Sequence, residues 1–259
     1  MVGLTQVKEM INEIIRYIQF QNKRKEDGYQ FEEISLNMVF VGNPGTGKTT
    51  VARIVSELFK EMGILKKGHL VEAGREDLVG QYIGQTGPKT LDKVKEAYGG
   101  ILFIDEAYAL NSKYENDFGK EAIATLIKEM EDNRDKLAVI MAGYTKEMKD
   151  LLNLNPGITS RIGNTIEFPD YNPDELFEIF IRLCNKNGYI LTEGAKDSMY
   201  RILEYRYQQR DKNFGNARMV RQYFEQLKKK QAMRAMSNSL EGEEMLTIIR
   251  EDIEQLSVM

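Results

Sequence analysis

Two short stretches carry residue types that could do chemistry together. The first, GNPGTGKT at Gly42–Thr49, ends a glycine-rich loop in a lysine and a threonine; the second, Asp105–Glu106, sets two carboxylates directly after the apolar run ILFI. The first matches the phosphate-loop pattern G-x-x-x-x-G-K-[ST]. Its glycines let the backbone wrap phosphates, and successive N–H groups with the positive end of the following helix hold their charge. Lys48 would reach the β- and γ-phosphates of a nucleoside triphosphate, and the Thr49 hydroxyl would ligate Mg²⁺. Two neighbouring carboxylates repel unless cations sit with them, and Mg²⁺ with Lys48 would account for both. Asp105 would then hold Mg²⁺ through water and Glu106 would polarise the attacking water. Taken alone, Asp105–Glu106 is a weak signal whose alternative is a helix N-terminal acid, and after a phosphate loop it becomes a strong one; a bare glycine turn explains neither Lys48 nor Thr49.

The elements around these residues must place them on one edge. LNMVFVG reads as a buried strand running into the loop, and a helix follows with Val51, Ile54, Val55, Leu58 and Met62 inward and Gly63 as its stop. The run GGILFIDEA is apolar throughout, as in a central parallel strand covered on both faces, so its acids fall at the ligand-binding edge of the sheet. Further strands are expected at His69–Ala73, Leu137–Ala142 and Asn164–Phe168. A first helix carries Leu4, Val7, Ile11, Ile14, Ile15 and Ile18 on one face and ends at Gly28. Thr86 is expected to cap a helix with Pro88 in its first turn, and another helix is expected from about Phe118 to Asp132. Strands alternating with helices predict a three-layer α/β domain over residues 1–169. Beyond Pro169 the pattern turns helical, with Asn172 as cap and Pro173 at the first helical position, predicting a small all-helical domain over 170–259.

Composition narrows the chemistry. The net charge is −4, from 36 basic and 40 acidic residues, which argues against a nucleic-acid partner held through its phosphate backbone. Lys228–Lys230 reads as a solvated helix face. The single histidine, His69, nearly excludes His-centred acid–base or metal chemistry, and the single cysteine, Cys184, excludes an internal disulfide framework and a cysteine-based zinc site. Cys184 reads as a buried thiol in a reducing compartment. No apolar run is long enough to span a bilayer and no signal peptide is evident, so a cytoplasmic protein without a membrane partner is expected.

The strings GNPGTGKTTVAR, LVGQYIGQT, GGILFIDEAYAL, DFGKEAIATLIKEMED, AGY, LNPGITSRI, FPDY and GNARMVRQYFE, in this order, resemble the AAA+ ATPases of the CbbX and stage V sporulation protein K group, which includes red-type Rubisco activases. The resemblance spans nearly the whole chain. It implies an AAA+ α/β domain with a helical lid, ATP and Mg²⁺ as cofactors, ATP hydrolysis, and a homo-oligomeric ring, a hexamer, that remodels a polypeptide. It further implies nucleotide contacts along Asn43, Pro44, Gly45, Thr46, Gly47, Lys48, Thr49 and Thr50, and adenine contacts at Val2 and Gly3. Those two lie at the extreme start, where the family has preceding residues. Arg161 is implied as an arginine finger reaching a neighbouring subunit's nucleotide, although spacing alone favours an exposed loop arginine. Arg218 is implied as the lid sensor, with a helix-surface role as the alternative and Arg221 one turn on. Gly143-Tyr144-Thr145 stands where the wider superfamily commonly places an asparagine sensor, which leaves the first sensor open between Tyr144 and Thr145.

Tyr82 and Ile83 sit between Gly80 and Gly84 just before a helix start. The resemblance makes them a pore-facing substrate loop, and an aromatic ring offers large contact area at small entropic cost. The alternative is a satellite cluster tucked under the loop. The polar stretch Asn111–Gly119 is a candidate second pore loop or a plain surface connection. Two other functions compete with the mechanoenzyme: a nucleotide switch that docks a partner with slow hydrolysis, and a nucleic-acid motor or clamp-loader relative.

Overall fold

The computed structural model describes residues 1–32, 34–111 and 117–256. Most of the Asn111–Gly119 stretch, Ser112–Asn116, therefore lies outside the described residues. The chain divides into two compact units: Thr5–Gly42 with Gly47–Phe168, and Pro169–Met259 together with Met1–Leu4 and Asn43–Thr46.

The α/β unit opens with α1 (Thr5–Glu26), which buries Val7, Ile11, Ile14 and Ile18. Leu4, expected on that helix, precedes it in a left-handed conformation. Then follow β1 (Met38–Gly42), α2 (Lys48–Glu61), β2 (Leu70–Ala73), α3 (Arg75–Leu78), α4 (Thr86–Glu96), β3 (Gly100–Ile104), α5 (Gly119–Asp132), β4 (Leu137–Gly143), α6 (Thr145–Leu154), α7 (Pro156–Thr159) and β5 (Asn164–Phe168). The strands form one parallel five-stranded sheet in the order β2-β3-β4-β1-β5. Because the strands alternate in side-chain direction, Val39, Val41, Leu102, Ile104, Val139 and Met141 meet Val94 of α4, Ala122 and Leu126 of α5 and Met148 of α6 on one face. The other face buries Phe40 against Phe168, ring centroids 5.0 Å apart, with α1 packed on β5 and α2 on β3. Both faces being covered explains why β1, β3 and β4 are apolar at every position.

Two details differ from the periodicity reading. α2 buries Val51, Ala52, Val55, Ser56 and Phe59, and Ile54 is exposed: the inward face takes in the small Ala52 and Ser56, whose hydroxyl donates to Gly68 O at 2.5 Å. Thr86 is the first residue of α4 rather than its cap; its hydroxyl instead accepts from the Gly80 N–H at 3.0 Å, pinning the base of the preceding loop.

The helical unit contains α8 (Pro173–Lys186), β6 (Ile190–Leu191), α9 (Glu193–Gln208), α10 (Asn216–Ser237), β7 (Thr247–Ile248) and α11 (Arg250–Glu254). Asn172 caps α8 with a reciprocal bond to Glu175, both at 2.9 Å. Leu176, Phe180 and Cys184 of α8, Met199 and Leu203 of α9, and Val220, Phe224 and Leu227 of α10 are buried. The short parallel pairing of β6 with β7 is an addition to the all-helical expectation; two-residue strands carry no readable alternation. Arg234 meets the buried Asp252 at 2.8 Å and donates to Thr247 O, closing the end of the unit.

Candidate nucleotide site

β1, β3 and β4 all end on the C-terminal edge of the sheet, at Gly42, Ile104 and Gly143. Gly42 lies at φ +148°, and a Cβ there would stand 2.3 Å from Phe168 O, so only glycine lets β1 turn away beside β5. At Gly47 (φ +99°) the chain enters α2, and Val51 N–H donates to Gly47 O. Lys48, half-buried at the first turn, donates from Nζ to Gly42 O at 2.9 Å, which keeps its ammonium along the loop. Thr49 is half-buried beside it and Thr50 is exposed.

Asp105 and Glu106 follow β3 directly and are exposed. Asp105 Oδ1 accepts the Glu106 N–H at 3.0 Å, and Glu106 takes left-handed backbone angles (φ 48°, ψ 41°). A non-glycine residue held there is strained, and such strain concentrates at functional positions. Next to this pair lies Tyr108, whose ring centroid is 6.0 Å from that of Tyr144. Burial first, then the charge of Glu106, pushes the Tyr108 phenol up to about 12, with Tyr144, Glu147 and Asp105 adding to it. A Cβ on Gly143 would stand 2.7 Å from the Tyr108 ring, so glycine at the end of β4 makes room for it. Tyr144 stands just before α6, its carbonyl accepting the Met148 N–H at 2.9 Å and its side chain half-buried; Thr145, its neighbour, is exposed. For Mg²⁺, the hydroxyl of Thr49 and the carboxylate of Asp105 are oxygen donors of the type it takes when most of its shell is phosphate and water.

The middle of the phosphate loop, Asn43–Thr46, packs within the helical unit. Asn43 Nδ2 donates to Asp170 at 3.0 and 3.1 Å, and the Thr46 hydroxyl donates to Asn43 O at 2.9 Å. Pro44 O accepts from Asn216 Nδ2 (3.3 Å), Gly45 O from Ala217 N (3.2 Å), and Thr46 O from the Tyr171 hydroxyl (3.1 Å). Asp170, Tyr171 and Asn216 lie in the strings FPDY and GNAR, but no single residue there stood out by type. A clue was available in Gly215-Asn216, since asparagine is the side chain that best tolerates a left-handed turn ahead of a helix. Arg218, two residues on, is exposed and makes no ion pair among the described residues; Arg221 is exposed as well. Val2 is half-buried, and a Cβ on Gly3 would overlap the Glu175 carboxylate at the start of α8.

Arg161 follows α7. Its Nε lies 3.1 Å from Glu131 Oε2 without hydrogen-bond alignment, while Nη1 donates to Gly157 O at 3.0 Å. Its carbonyl accepts from Ser35 and Asn37, so the backbone is fixed while the side chain is held by an exposed carboxylate. Tyr82 and Ile83 project from the loop after α3, 68% and 88% exposed; neither tucks under it. His69 places Nε2 2.7 Å from Glu96 O, so that nitrogen donates, and burial pushes the Cys184 thiol up to about 12. Lys228 pairs with Glu225 at 2.8 Å and lies over the Phe224 ring; Lys228 and Lys230 are half-buried and Lys229 is exposed. Among the described residues no three His, Cys, Asp or Glu side chains cluster as a metal site, and no helix is long and apolar enough to cross a membrane.

Residues 38–170 match the model of the ATPase family associated with various cellular activities (AAA), and residues 172–257 match the AAA lid domain. The chain is 45% identical over 258 residues to stage V sporulation protein K of Bacillus subtilis, covering 98% of this chain and 79% of that protein. It is 43% identical over 257 residues to protein CbbX of Cereibacter sphaeroides, covering 98% and 82%. Among solved structures, the AAA domain of FIGL-1 in complex with ADP superposes with a TM-score of 0.66 at 17% identity, covering 98% of this chain and 80% of that one. At that identity the likeness speaks for the fold.

Proposed function

The chain belongs to the AAA family of ATPases, in the group of stage V sporulation protein K and CbbX, and from that premise we propose an Mg²⁺-dependent ring ATPase that pulls a polypeptide through a central pore. The adjacent, exposed Tyr82 and Ile83 on one loop support the pulling part of this reading, because an aromatic ring offers large contact area at small entropic cost.

In this reading residues 1–169 form the nucleotide-binding domain and 170–259 the lid. The loop Gly42–Gly47 and Thr50 wrap the ATP phosphates, Val2 and Gly3 lie against adenine, and Lys48 moves from Gly42 O onto the β- and γ-phosphates. Thr49 and Asp105 would hold Mg²⁺, which supplies charge neutralisation at the phosphate oxygens. Glu106 takes a proton from water as the water oxygen bonds to the γ-phosphorus and the bond to the β-phosphate oxygen breaks, releasing ADP. Arg161 leaves Glu131 to neutralise charge on the nucleotide of the adjoining copy in a hexamer, a contribution of about 10³–10⁵ in rate for such residues. Arg218 senses the nucleotide from the lid. The acidic balance and the single cysteine support a cytoplasmic protein acting on polypeptide rather than nucleic acid. Sporulation and Rubisco activation are the two roles the relatives suggest.

Glu106→Gln tests the chemistry. ATP binding should persist while turnover falls by roughly 10²-fold or more, the range for loss of a positioned acid–base group; unchanged hydrolysis would remove Glu106 from its role. The same variant, holding ATP, should retain the polypeptide for capture. The Tyr108–Tyr144 contact at the sensor position favours one other reading, a slow nucleotide switch that docks a partner, and sustained multiple turnover excludes it.

A further inference from the structure

Asn216 is 0% exposed, begins α10 and holds a left-handed backbone (φ 47°). A buried amide in a strained conformation persists only when its surroundings fix it. They do so here through every polar atom of the side chain. Nδ2 donates to Asp170 Oδ1 at 2.7 Å, with Phe214 O at 3.1 Å and Pro44 O at 3.3 Å around it; Oδ1 accepts the Tyr171 N–H at 2.9 Å. Asp170 in turn takes the Asn43 side chain, with Arg210 Nε 4.0 Å from its other oxygen.

The consequence follows from peptide geometry. In a trans peptide the carbonyl of one residue and the N–H of the next point in opposite directions. Holding the carbonyls of Pro44, Gly45 and Thr46 on Asn216, Ala217 and Tyr171 therefore aims the N–H groups of Gly45, Thr46 and Gly47 the other way. Among the described residues those N–H groups donate to no protein acceptor. Successive N–H groups turned outward form an anion nest.

We infer that Asn216, through Asp170, is a positioning residue that presets the phosphate loop for a nucleotide diphosphate group. The inference rests on Gly42–Thr49 as the phosphate cradle, and it needs neither hydrolysis nor a ring nor threading. It assigns to the helical unit a share of nucleotide affinity separate from Arg218.

Asn216→Gly is the clean test, since glycine adopts the left-handed backbone without strain and removes only the amide. ADP binding to the full chain is measured by titration calorimetry, alongside nucleotide-free thermal melting and steady-state ATPase. Affinity for ADP should fall about tenfold or more, as expected for hydrogen bonds lost from a buried network. The loss should appear in KM rather than kcat, and the nucleotide-free melt should fall by several degrees while the chain stays folded, as the loss of buried hydrogen bonds predicts. Asp170→Asn, half-buried and less disruptive, should weaken ADP in the same direction and decides the matter if the glycine variant does not fold. Equal ADP affinity in the wild type and in a folded variant overturns the role of Asn216. A wild-type chain that fails to bind ADP overturns the cradle itself, so the two failures are told apart.

Discussion

The loop tip Asn43–Thr46 and the loop Val79–Gln85 are both short and glycine-bearing, yet they are built in opposite ways. In the first, a polar sequence is drawn in: Thr46 is buried and three carbonyls in a row are tied to Asn216, Ala217 and Tyr171. In the second, an aromatic and an aliphatic side chain are left outside, on a backbone whose bonds stay local: Lys89 to Val79 O, Gly80 N–H to Thr86, and Tyr82 to Gln85. A residue's polarity thus decided neither loop's burial. In the proposed function the first loop meets a ligand of fixed shape and is served by a preorganised backbone, whereas the second meets varied chain and is served by large exposed side chains.

Gly45→Ala attacks the rigid side of this contrast and should have the largest effect. A Cβ at Gly45 would stand 2.3 Å from Gly215 O and 2.7 Å from Arg218 N, on a backbone at φ +72°. The tip has to move, and ADP affinity should drop by roughly 100-fold or more, since strain and lost hydrogen bonds of a few kcal/mol act together. Near-normal affinity by calorimetry would mean that the tip yields easily, and the contrast would dissolve.

Tyr82→Ala probes the other loop. Because the ring is exposed, nucleotide-free stability should change by no more than about 0.5 kcal/mol, and ATPase should stay within about twofold. Pulling on a tagged test polypeptide should be lost. A melt lowered by many degrees would show that the ring packs on the protein in solution, contrary to its exposure; intact pulling would retire the grip.

The two loops also differ in how far they could be read from residues. Gly42–Thr49 and Asp105–Glu106 announce themselves because their chemistry is local: a strand, a turn and a helix in sequence order suffice to place them on one edge. The sheet was legible for the same reason, as runs such as Ile101–Ile104 leave no polar face to expose. What fixes the cradle was not legible. Pro44 and Asn216 meet across 172 positions of chain, and nothing in either neighbourhood specifies the other. Thr86 shows the limit at short range too: a threonine before a helical run reads as a cap, but its hydroxyl turned back to Gly80, a choice set by how the loop closes. The left-handed Glu106 gives no sign in its residue type, since glutamate has no preference for that region.

Tyr171→Phe makes the smallest and most local cut, deleting the hydroxyl that holds Thr46 O at 3.1 Å and leaving the ring in place. One hydrogen bond of the usual net size predicts ADP affinity lower by about threefold and a folded state less stable by about 1 kcal/mol near neutral pH. Alkaline titration adds a sign. Burial, reinforced by Glu175 and opposed by Arg221, raises the Tyr171 phenol from 10.0 to about 12, so the folded chain keeps a proton that the unfolded chain has begun to lose. The stabilisation is complete below pH 10 and drains away as pH climbs toward 12. Tyr98 and Tyr108 are also raised to about 12 and decline in parallel in both proteins. Across that window the wild-type melting temperature should therefore fall faster than that of the Phe variant, closing the gap between them. Parallel curves would mean that Tyr171 meets solvent when the loop carries no nucleotide, and that the tip is held by Asn216 and Ala217 alone.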